Sequence, residues 1–402
     1  MATSFGALLA QLRHEAFGAG ASSAQPLVGA EVELIPVVSG SGRIAAIDDC
    51  DRPSTLPLLR EAGRRMGWRE LRSSKAGVPE LRLPHGGRIT FEPGGQIEYS
   101  APPRPSVSAL AADLRDVAER IREAVQPTGI ELETVGIDPI NVIDDVPLQL
   151  TAPRYRRMDA HFATIGPYGA RMMRQTASIQ ICLDAGPDPL ARWRLLNALA
   201  PYLVAIFANS PTYAGAPTGH RSVRRFIWGA LDPARTGLPW DAAHPEAAYA
   251  DFALNAAALL GAVDEPPFPT FGEWWSTGSA TLEDWRAHLT TLFPEVRPRG
   301  YFEVRSIDAL EPAAYAVPLV LLASLVLDPA VAESAAELAG TPNPALLERA
   351  GRCGLTDPSV ARSARELVSL AMRGAESLGP AVIAPDDLRT AEEWFERYTL
   401  RS

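Results

Sequence analysis

The 402-residue sequence predicts an α+β fold in which one curved antiparallel sheet, polar on one face and apolar on the other, is backed by helices. Two observations predict it. Five short segments alternate polar and apolar side chains with period two, the mark of strands with one covered face. Between and after them lie amphipathic or wholly apolar helical segments long enough to provide that cover. Parallel strands buried on both faces would read as unbroken apolar runs instead.

In chain order, the start MATSFGALLAQLRHEAFGAG lacks the basic opening and continuous apolar stretch of an export signal and reads as a short amphipathic helix. Residues 28–37 form the first strand, with Glu31 and Glu33 opposite Val32 and Leu34. Residues 88–92 place Thr90 and Glu92 opposite Ile89 and Phe91, and residues 96–100 place Gln96 and Glu98 opposite Ile97 and Tyr99. A helix over 107–125 repeats Val107, Leu110, Leu114, Val117, Ile121 and Val125 at spacings of three and four, with Ser106 as its cap. Residues 176–184 set Ser178, Gln180, Cys182 and Asp184 against Ile179, Ile181 and Leu183. A second helix, 190–208, stops at Asn209-Ser210-Pro211. The last strand, 300–307, sets Tyr301, Glu303 and Arg305 against Phe302 and Val304, and helices follow from Pro312 onward. The apolar run Ala313–Leu327 is about 15 residues, short of the roughly 20 that span a bilayer, so it reads as a buried helix. Residues 38–55, 211–220, 229–247 and 262–280 read as loops, the last with Glu273-Trp274-Trp275 as a lid or a surface loop. None is long enough to separate domains. The whole chain, 1–402, is expected to be one catalytic unit, with a sheet core over 1–310 and a helical portion over 311–402.

A net charge of −10 disfavours nucleic acid and anionic membrane as partners, leaving small molecules as the expected substrates. Composition carries no signal for oligomeric state. Lys75 is the only lysine among 38 basic residues, and no GKS or GKT string occurs, so a phosphate grip must come from arginine and backbone amides. Cys50, Cys182 and Cys353 are scattered, which speaks against disulfides or a CxxC site and fits a reducing cytoplasm. The six histidines show no HExxH spacing and there is no GxSxG elbow. Cys182, between apolar neighbours on its strand, reads as an inert thiol rather than a nucleophile.

Three constellations remain. Glu31, Glu33, Glu92, Glu98 and Glu303 sit at strand positions. Any one Glu-x-Glu also fits a solvated sheet edge, but five on polar strand faces suit magnesium, a hard cation that takes carboxylates, waters and phosphate oxygens. Glu92-Pro93-Gly94-Gly95-Gln96-Ile97-Glu98, with a carboxylate on each side, reads either as a tight turn or as a loop whose amides face a phosphate or substrate. Glu303 and Arg305 share one strand face, as an ion pair or as a metal ligand beside a phosphate-neutralising guanidinium. Arg171, Arg174, Arg221, Arg224 and Arg225 add candidates for binding carboxylate or phosphate, most of them expected at the surface.

The blocks GAEVEL (29–34), FEPGGQIEYSAPP (91–103), PRYRRMDAHFATIGPYGARMMRQTASIQICLD (153–184), AIFANSP (205–211), SVRRFIW (222–228), DPARTG (232–237) and HLTTLFPEVRPRGYFEVRSIDA (288–309) resemble, in order and spacing, the glutamate–cysteine ligases of plant and proteobacterial type. They are most similar to the actinobacterial branch tied to ergothioneine synthesis. The resemblance implies a glutamine-synthetase-like sheet funnel that uses ATP and Mg²⁺. Its reaction joins the glutamate γ-carboxylate to the cysteine amine through a γ-glutamyl phosphate. By position, Glu31, Glu33, Glu92, Glu98 and Glu303 look like the metal ligands, with Gln180 beside them. Arg305 looks like the phosphate-facing arginine, while Thr176 and Arg224 fall at glutamate-contacting positions. Cys182 stands where relatives carry Asn and Gln175 where the plant pattern has Arg, which leaves a ligase acting on another amine or acid as the alternative.

Overall fold

The computed structural model describes residues 5–18, 26–72, 77–241 and 243–400; Lys75 and the outer parts of the N-terminal stretch lie outside them. Among the described residues eleven strands form: β1 (Val28–Val38), β2 (Arg69–Leu71), β3 (Glu80–Arg82), β4 (Arg88–Phe91), β5 (Ile97–Ser100), β6 (Ile130–Glu133), β7 (Ser178–Asp184), β8 (Thr212–Tyr213), β9 (Ala216–Pro217), β10 (Val296–Pro298) and β11 (Tyr301–Asp308). Nine of them make one sheet in the order β10-β11-β7-β1-β5-β4-β3-β2, with β6 paired to the far end of β1. Every pairing is antiparallel, and the sheet is curved and open.

The alternation read from the sequence becomes two faces. Val32, Leu34, Ile89, Ile97, Tyr99, Ile179, Ile181, Phe302 and Val304 are all 2% exposed or less. They are covered by helices Val107–Val125 and Pro189–Ile206, with helix Ala316–Val326 packed behind the first of these as the third helix of the layer, and burying each Val- to Phe-sized side chain contributes about 1.5–3 kcal/mol. The first of these is capped as expected, Ser106 accepting from the Ala109 amide. The third is buried along its whole length because the C-terminal helices Pro358–Leu378 and Pro385–Phe395 wrap it, so sheet-backing and C-terminal helices share one apolar core. Among the described residues no single helix is long and apolar enough to cross a membrane.

The structure revises several local expectations. Residues 229–247 and 262–280 are not plain loops: they hold parts of helices Val223–Leu231 and Pro245–Asn255 and the short helices Pro233–Thr236 and Phe271–Ser276. The overlooked signals are caps: Asp232 ahead of Pro233, and Thr270 with Glu273 as a capping box. Trp274 and Trp275 pack around Phe271 on that short helix rather than forming a lid. Residues 211–220 contain the β8–β9 hairpin. On β11 the register slips between Val304 and Ile307, so Ile307 pairs with Ile179 and Asp308 with Ser178. This bulge turns Asp308 onto the polar face, which strict alternation would have denied it.

Candidate active site

Cross-strand register brings the polar face together in rungs. Glu33 lies directly opposite Glu98, Glu31 between Gln180 and Ser100, and Glu303 between Arg297 and Cys182. Like charges placed directly opposite destabilise a sheet, so Glu33 facing Glu98 is a placement that the fold alone does not favour. Glu92, one residue past β4, adds a further carboxylate to the same cleft, which has a volume of about 160 Å³. Glu31, Glu33, Glu92, Glu98, Gln180, Thr176, Arg224 and Arg305 all line it. Of the expected site residues only Glu303 stands back from the lining, fully buried beneath the arginines.

The cleft divides by charge. On the carboxylate side, burial and then Glu98 and Glu303 push the Glu31 carboxyl up from 4.5 to about 7. Burial followed by Glu98 and Glu33 raises Glu92 well above its ordinary value, and burial followed by Glu33 raises Glu98. Burial raises Glu33 too, although Arg224 and Arg305 oppose it. Glu31, Glu33 and Glu98 each keep a modest set of partners. Glu33 accepts from the Ser178 amide (2.7 Å), the Ser178 hydroxyl (3.1 Å) and Gln180 Nε2 (3.0 Å). Glu98 accepts from Thr90 (2.7 Å) and Glu31 from Ser100 (3.2 Å). On the arginine side, Glu303 accepts from Arg297 (2.7 Å), Arg299 (2.8 Å) and Arg305. Burial would raise its pKa, but Arg297, Arg305 and Arg299 outweigh it and hold the carboxyl well below the usual range. Arg305 also donates to Gln180 Oε1, which links the two sides through Gln180 to Glu33.

The Gly94-Gly95 turn settles between its two readings. The Gly94 amide donates to Gln96 Oε1 (3.0 Å) and the Gly95 amide to the Glu92 carbonyl (2.8 Å), so both are spent within the turn and face no phosphate. The glycines serve close approach instead: a Cβ on Gly94 would lie 1.9 Å from the Arg174 carbonyl oxygen. Gln96 Nε2 fastens the same turn to the Thr176 carbonyl (2.9 Å), fixing Glu92 beside Thr176.

Of the five other arginines only Arg224 reaches the cleft. Arg174 pairs with Asp159, Arg225 with Glu295, Arg171 lies over Tyr213, and Arg221 is exposed beside Gly354. Gln175 turns away into a buried cluster, donating to the Asn141 carbonyl (2.8 Å) and Asp138. Cys182 is half-buried and lines a neighbouring pocket of about 320 Å³ with Pro102, Pro103, Arg88 and Tyr301, a pocket that shares Glu31 with the cleft. Burial and then Glu303 raise its thiol well above 9, which keeps it protonated and unreactive.

Sequence reasoning missed Arg154, Tyr155, Trp228, Phe293, Arg297 and three methionines, Met158, Met172 and Met173, all lining the cleft. Arg297 and Arg299 had a readable signal: they alternate just before Gly300, the hairpin turn into β11 (φ 81°). Trp228 and Phe293 had none, since an aromatic side chain on a short helix or loop is as well suited to a core. Donors remain: Nε of Arg224, Arg297 and Arg305 is buried without a partner among the described residues. The only trio of acidic or thiol ligand atoms within 4.8 Å of one another, among the described residues, is the exposed Asp49, Cys50 and Asp51, away from the cleft.

Comparison with known proteins agrees with this geometry. The chain is 40% identical over 337 residues to glutamate–cysteine ligase EgtA of Mycolicibacterium smegmatis, covering 79% of this chain and 77% of that one. It is 31% identical over 245 residues to the chloroplastic glutamate–cysteine ligase B of Oryza sativa subsp. japonica, a match spanning 55% of this chain and 47% of the relative. The crystal structure of glutamate–cysteine ligase from Francisella tularensis in complex with AMP aligns with a TM-score of 0.52 at 14% identity, over 95% of this chain and 83% of that one. At that identity the likeness concerns the glutamine-synthetase-like fold alone. The family model described as glutamate-cysteine ligase family 2 matches residues 27–378, a span that contains every glutamate and arginine of the cleft. With a match of that extent and a relative that similar over most of both chains, the chain belongs to glutamate–cysteine ligase family 2.

Proposed function

We propose that this protein uses ATP to join the γ-carboxylate of L-glutamate to the amine of L-cysteine, giving γ-glutamylcysteine, ADP and phosphate. The observation that carries the reading is the divided cleft: four crowded carboxylates on one wall and four guanidinium groups, Arg154, Arg224, Arg297 and Arg305, on the other. Anionic substrates suit the second wall, and cations that accompany a triphosphate suit the first.

The donor set fits Mg²⁺. Burial and mutual repulsion raise the carboxylates of Glu31, Glu92 and Glu98, a cost that divalent cations offset. No three of them form a closed cage, which matches an ion that takes one or two carboxylates and fills its octahedron with water and phosphate oxygens. We assign Glu31, Glu33, Glu92 and Glu98 to metal, with Gln180 orienting Glu33. Glu303 is assigned here as well, although its three arginine partners mean that an ion must share it with Arg305 or displace that arginine. Held by these residues, Mg²⁺ would supply positive charge against the negative charge that develops on phosphate oxygens during the transfer.

The chain's own groups do the positioning. Arg224 and the Thr176 region hold glutamate so that its γ-carboxylate oxygen meets the γ-phosphorus of ATP, and Arg305 neutralises the moving phosphoryl oxygens. The bond from the γ-phosphorus to the β,γ-bridging oxygen breaks, leaving γ-glutamyl phosphate. The cysteine nitrogen then attacks the acyl carbon, and phosphate departs as the amine gives up a proton. The adjoining pocket around Cys182, larger and lined by Pro102, Pro103 and Tyr301, suits the nucleoside end of ATP. The two departures that had suggested another amine, Gln175 and Cys182, both lie outside the main cleft, which supports cysteine as the acceptor. In this proposal residues 1–402 act as one catalytic unit in a reducing cytoplasm.

The test is ADP release with ATP, magnesium and glutamate across a panel of amines, with the product identified by mass. Cysteine is expected to give the largest kcat/KM; a stronger response to another amine, or none to any, would overturn the assignment.

A further inference from the structure

The Asn209-Ser210 stretch and Ser222 do not line the cleft, and both converge on one buried side chain. Asp308, 1% exposed, accepts from the Asn209 amide (2.8 Å), the Ser210 hydroxyl (2.7 Å) and the Ser222 hydroxyl (3.0 Å). Its Oδ1 lies 3.7 Å from Arg224 Nη1. Ser210 Oγ in turn accepts from the Arg224 amide (3.2 Å), so the acid holds the arginine at its backbone and at its guanidinium. Arg224 Nη2 is tied to the Arg305 carbonyl (2.8 Å), and its plane lies over Trp228 at 4.9 Å. Its Nε has no partner among the described residues, while the side chain lines the cleft.

The place is built rather than incidental. The β11 bulge turns Asp308 to the polar face directly opposite Ser178, the residue that donates to Glu33. On the other side Gly136 leaves no room for movement: a Cβ there would fall 2.5 Å from Asp308 Cγ. Arg224 is 4% exposed, and among the described residues Asp308 is the one acid within ion-pair distance of it, so Asp308 bears on both its aim and, with Glu33 farther off, its charge balance.

We infer that Asp308 is a positioning residue for the acid substrate: clamped by Asn209, Ser210, Ser222 and Gly136, it orients Arg224 for the carboxylate of glutamate. This rests on the reading that Arg224 meets glutamate. Asp308 itself does not line the cleft, but Arg224 acts on Glu33 and is bonded to the Arg305 carbonyl, so the KM values of all three substrates are needed to separate an effect on glutamate from a general one.

The experiment measures kcat and the KM values for glutamate, cysteine and ATP, with thermal melting, for the full chain carrying Asp308→Asn, Ser210→Ala or Arg224→Lys. Asp308→Asn keeps the shape and removes the charge; loss of an outer partner that orients a binding group typically costs about 10–100-fold, and we expect KM for glutamate to rise about tenfold. KM for ATP and kcat should stay within about twofold, the pattern of lost ground-state binding rather than lost chemistry. Ser210→Ala removes one hydrogen bond to Asp308 and leaves the charge, and should raise KM for glutamate about threefold. It carries the test if Asp308→Asn fails to fold. A fall in melting temperature with KM for glutamate unchanged, or an equal rise in all three KM values, overturns the inference by reducing Asp308 to a structural clasp. If Arg224→Lys leaves KM for glutamate unchanged, the reading of Arg224 fails first and takes the inference with it. If only Arg224→Lys raises it, the reading stands and the inference falls.

Discussion

Replacing Glu31 with glutamine should make the ligand-free protein more stable in alkaline solution. The Glu31 carboxyl is raised from 4.5 to about 7, first by burial and then by Glu98 and Glu303. For an acid with its folded pKa raised, the sign is opposite to that of a salt-bridged carboxylate. Below about pH 4.5 both folded and unfolded forms are protonated and there is no penalty; the penalty grows as pH rises and is complete above about pH 7. At about 1.36 kcal/mol for each pH unit between those values, it reaches at most about 3 kcal/mol at pH 8 and stays under about 1 kcal/mol at pH 5. Glu31→Gln removes the charge and keeps the shape, so urea unfolding without nucleotide or divalent ions should show a gain of about 1–3 kcal/mol at pH 8 that shrinks below about 1 kcal/mol at pH 5. The gain should vanish when magnesium and ATP are added, because the wild type then has cations to offset the charge. A destabilised variant at pH 8, or a gain of equal size at both pH values, would refute the view that Glu31 is a carboxylate held at a cost for a ligand.

Other substitutions separate the walls of the cleft. Glu33→Gln should lower kcat by at least about 100-fold while leaving the ligand-free melting temperature within a few degrees; a large stability loss would make Glu33 a structural residue. Arg305→Ala should cost about 100- to 1,000-fold in kcat, read in the ADP-release assay, and a change in KM alone would contradict its placement on the transferred phosphoryl group. Gly94→Ala drives a Cβ to 1.9 Å from the Arg174 carbonyl oxygen, and should destabilise by about 1–3 kcal/mol in urea unfolding and displace Glu92; a neutral outcome would show that the turn yields. Cys182→Ser should retain activity within about threefold, and wild-type Cys182 should label slowly with iodoacetamide at pH 8, because burial keeps its thiol protonated; rapid labelling coupled to inactivation would contradict this.

What could be read from the chain divides along physical lines. Period-two alternation is local, so the faces of β1, β5, β7 and β11 were legible, because facing is set by parity along each strand; which glutamates meet depends on strand pairing, and four of the five expected ones line the cleft while Glu303 stands back. Parity fails at a bulge: Asp308 stood at a position that alternation assigns to the apolar face, and only pairing with Ser178 reveals where it points. Partner choice is also non-local. Nothing near Gln175 announces Asp138 and Asn141, and nothing in the Gly94-Gly95 pair distinguishes amides held for a phosphate from a backbone pressed against Arg174. The arginines show the same limit. Arg224 and Arg225 are adjacent in sequence, yet helix Val223–Leu231 aims one into the cleft and the other at Glu295.

The measurement that bears most directly on the carboxylate-and-arginine cleft as a phosphoryl-transfer site is isotope transfer from glutamate labelled with ¹⁸O in its γ-carboxylate. With ATP, magnesium and cysteine present, one ¹⁸O should appear in the released phosphate for each γ-glutamylcysteine formed, because the γ-carboxylate oxygen becomes the bridging oxygen of the acyl phosphate and leaves with phosphorus. Dipeptide accompanied by unlabelled phosphate, or ATP consumed without any γ-glutamyl product, would contradict the account.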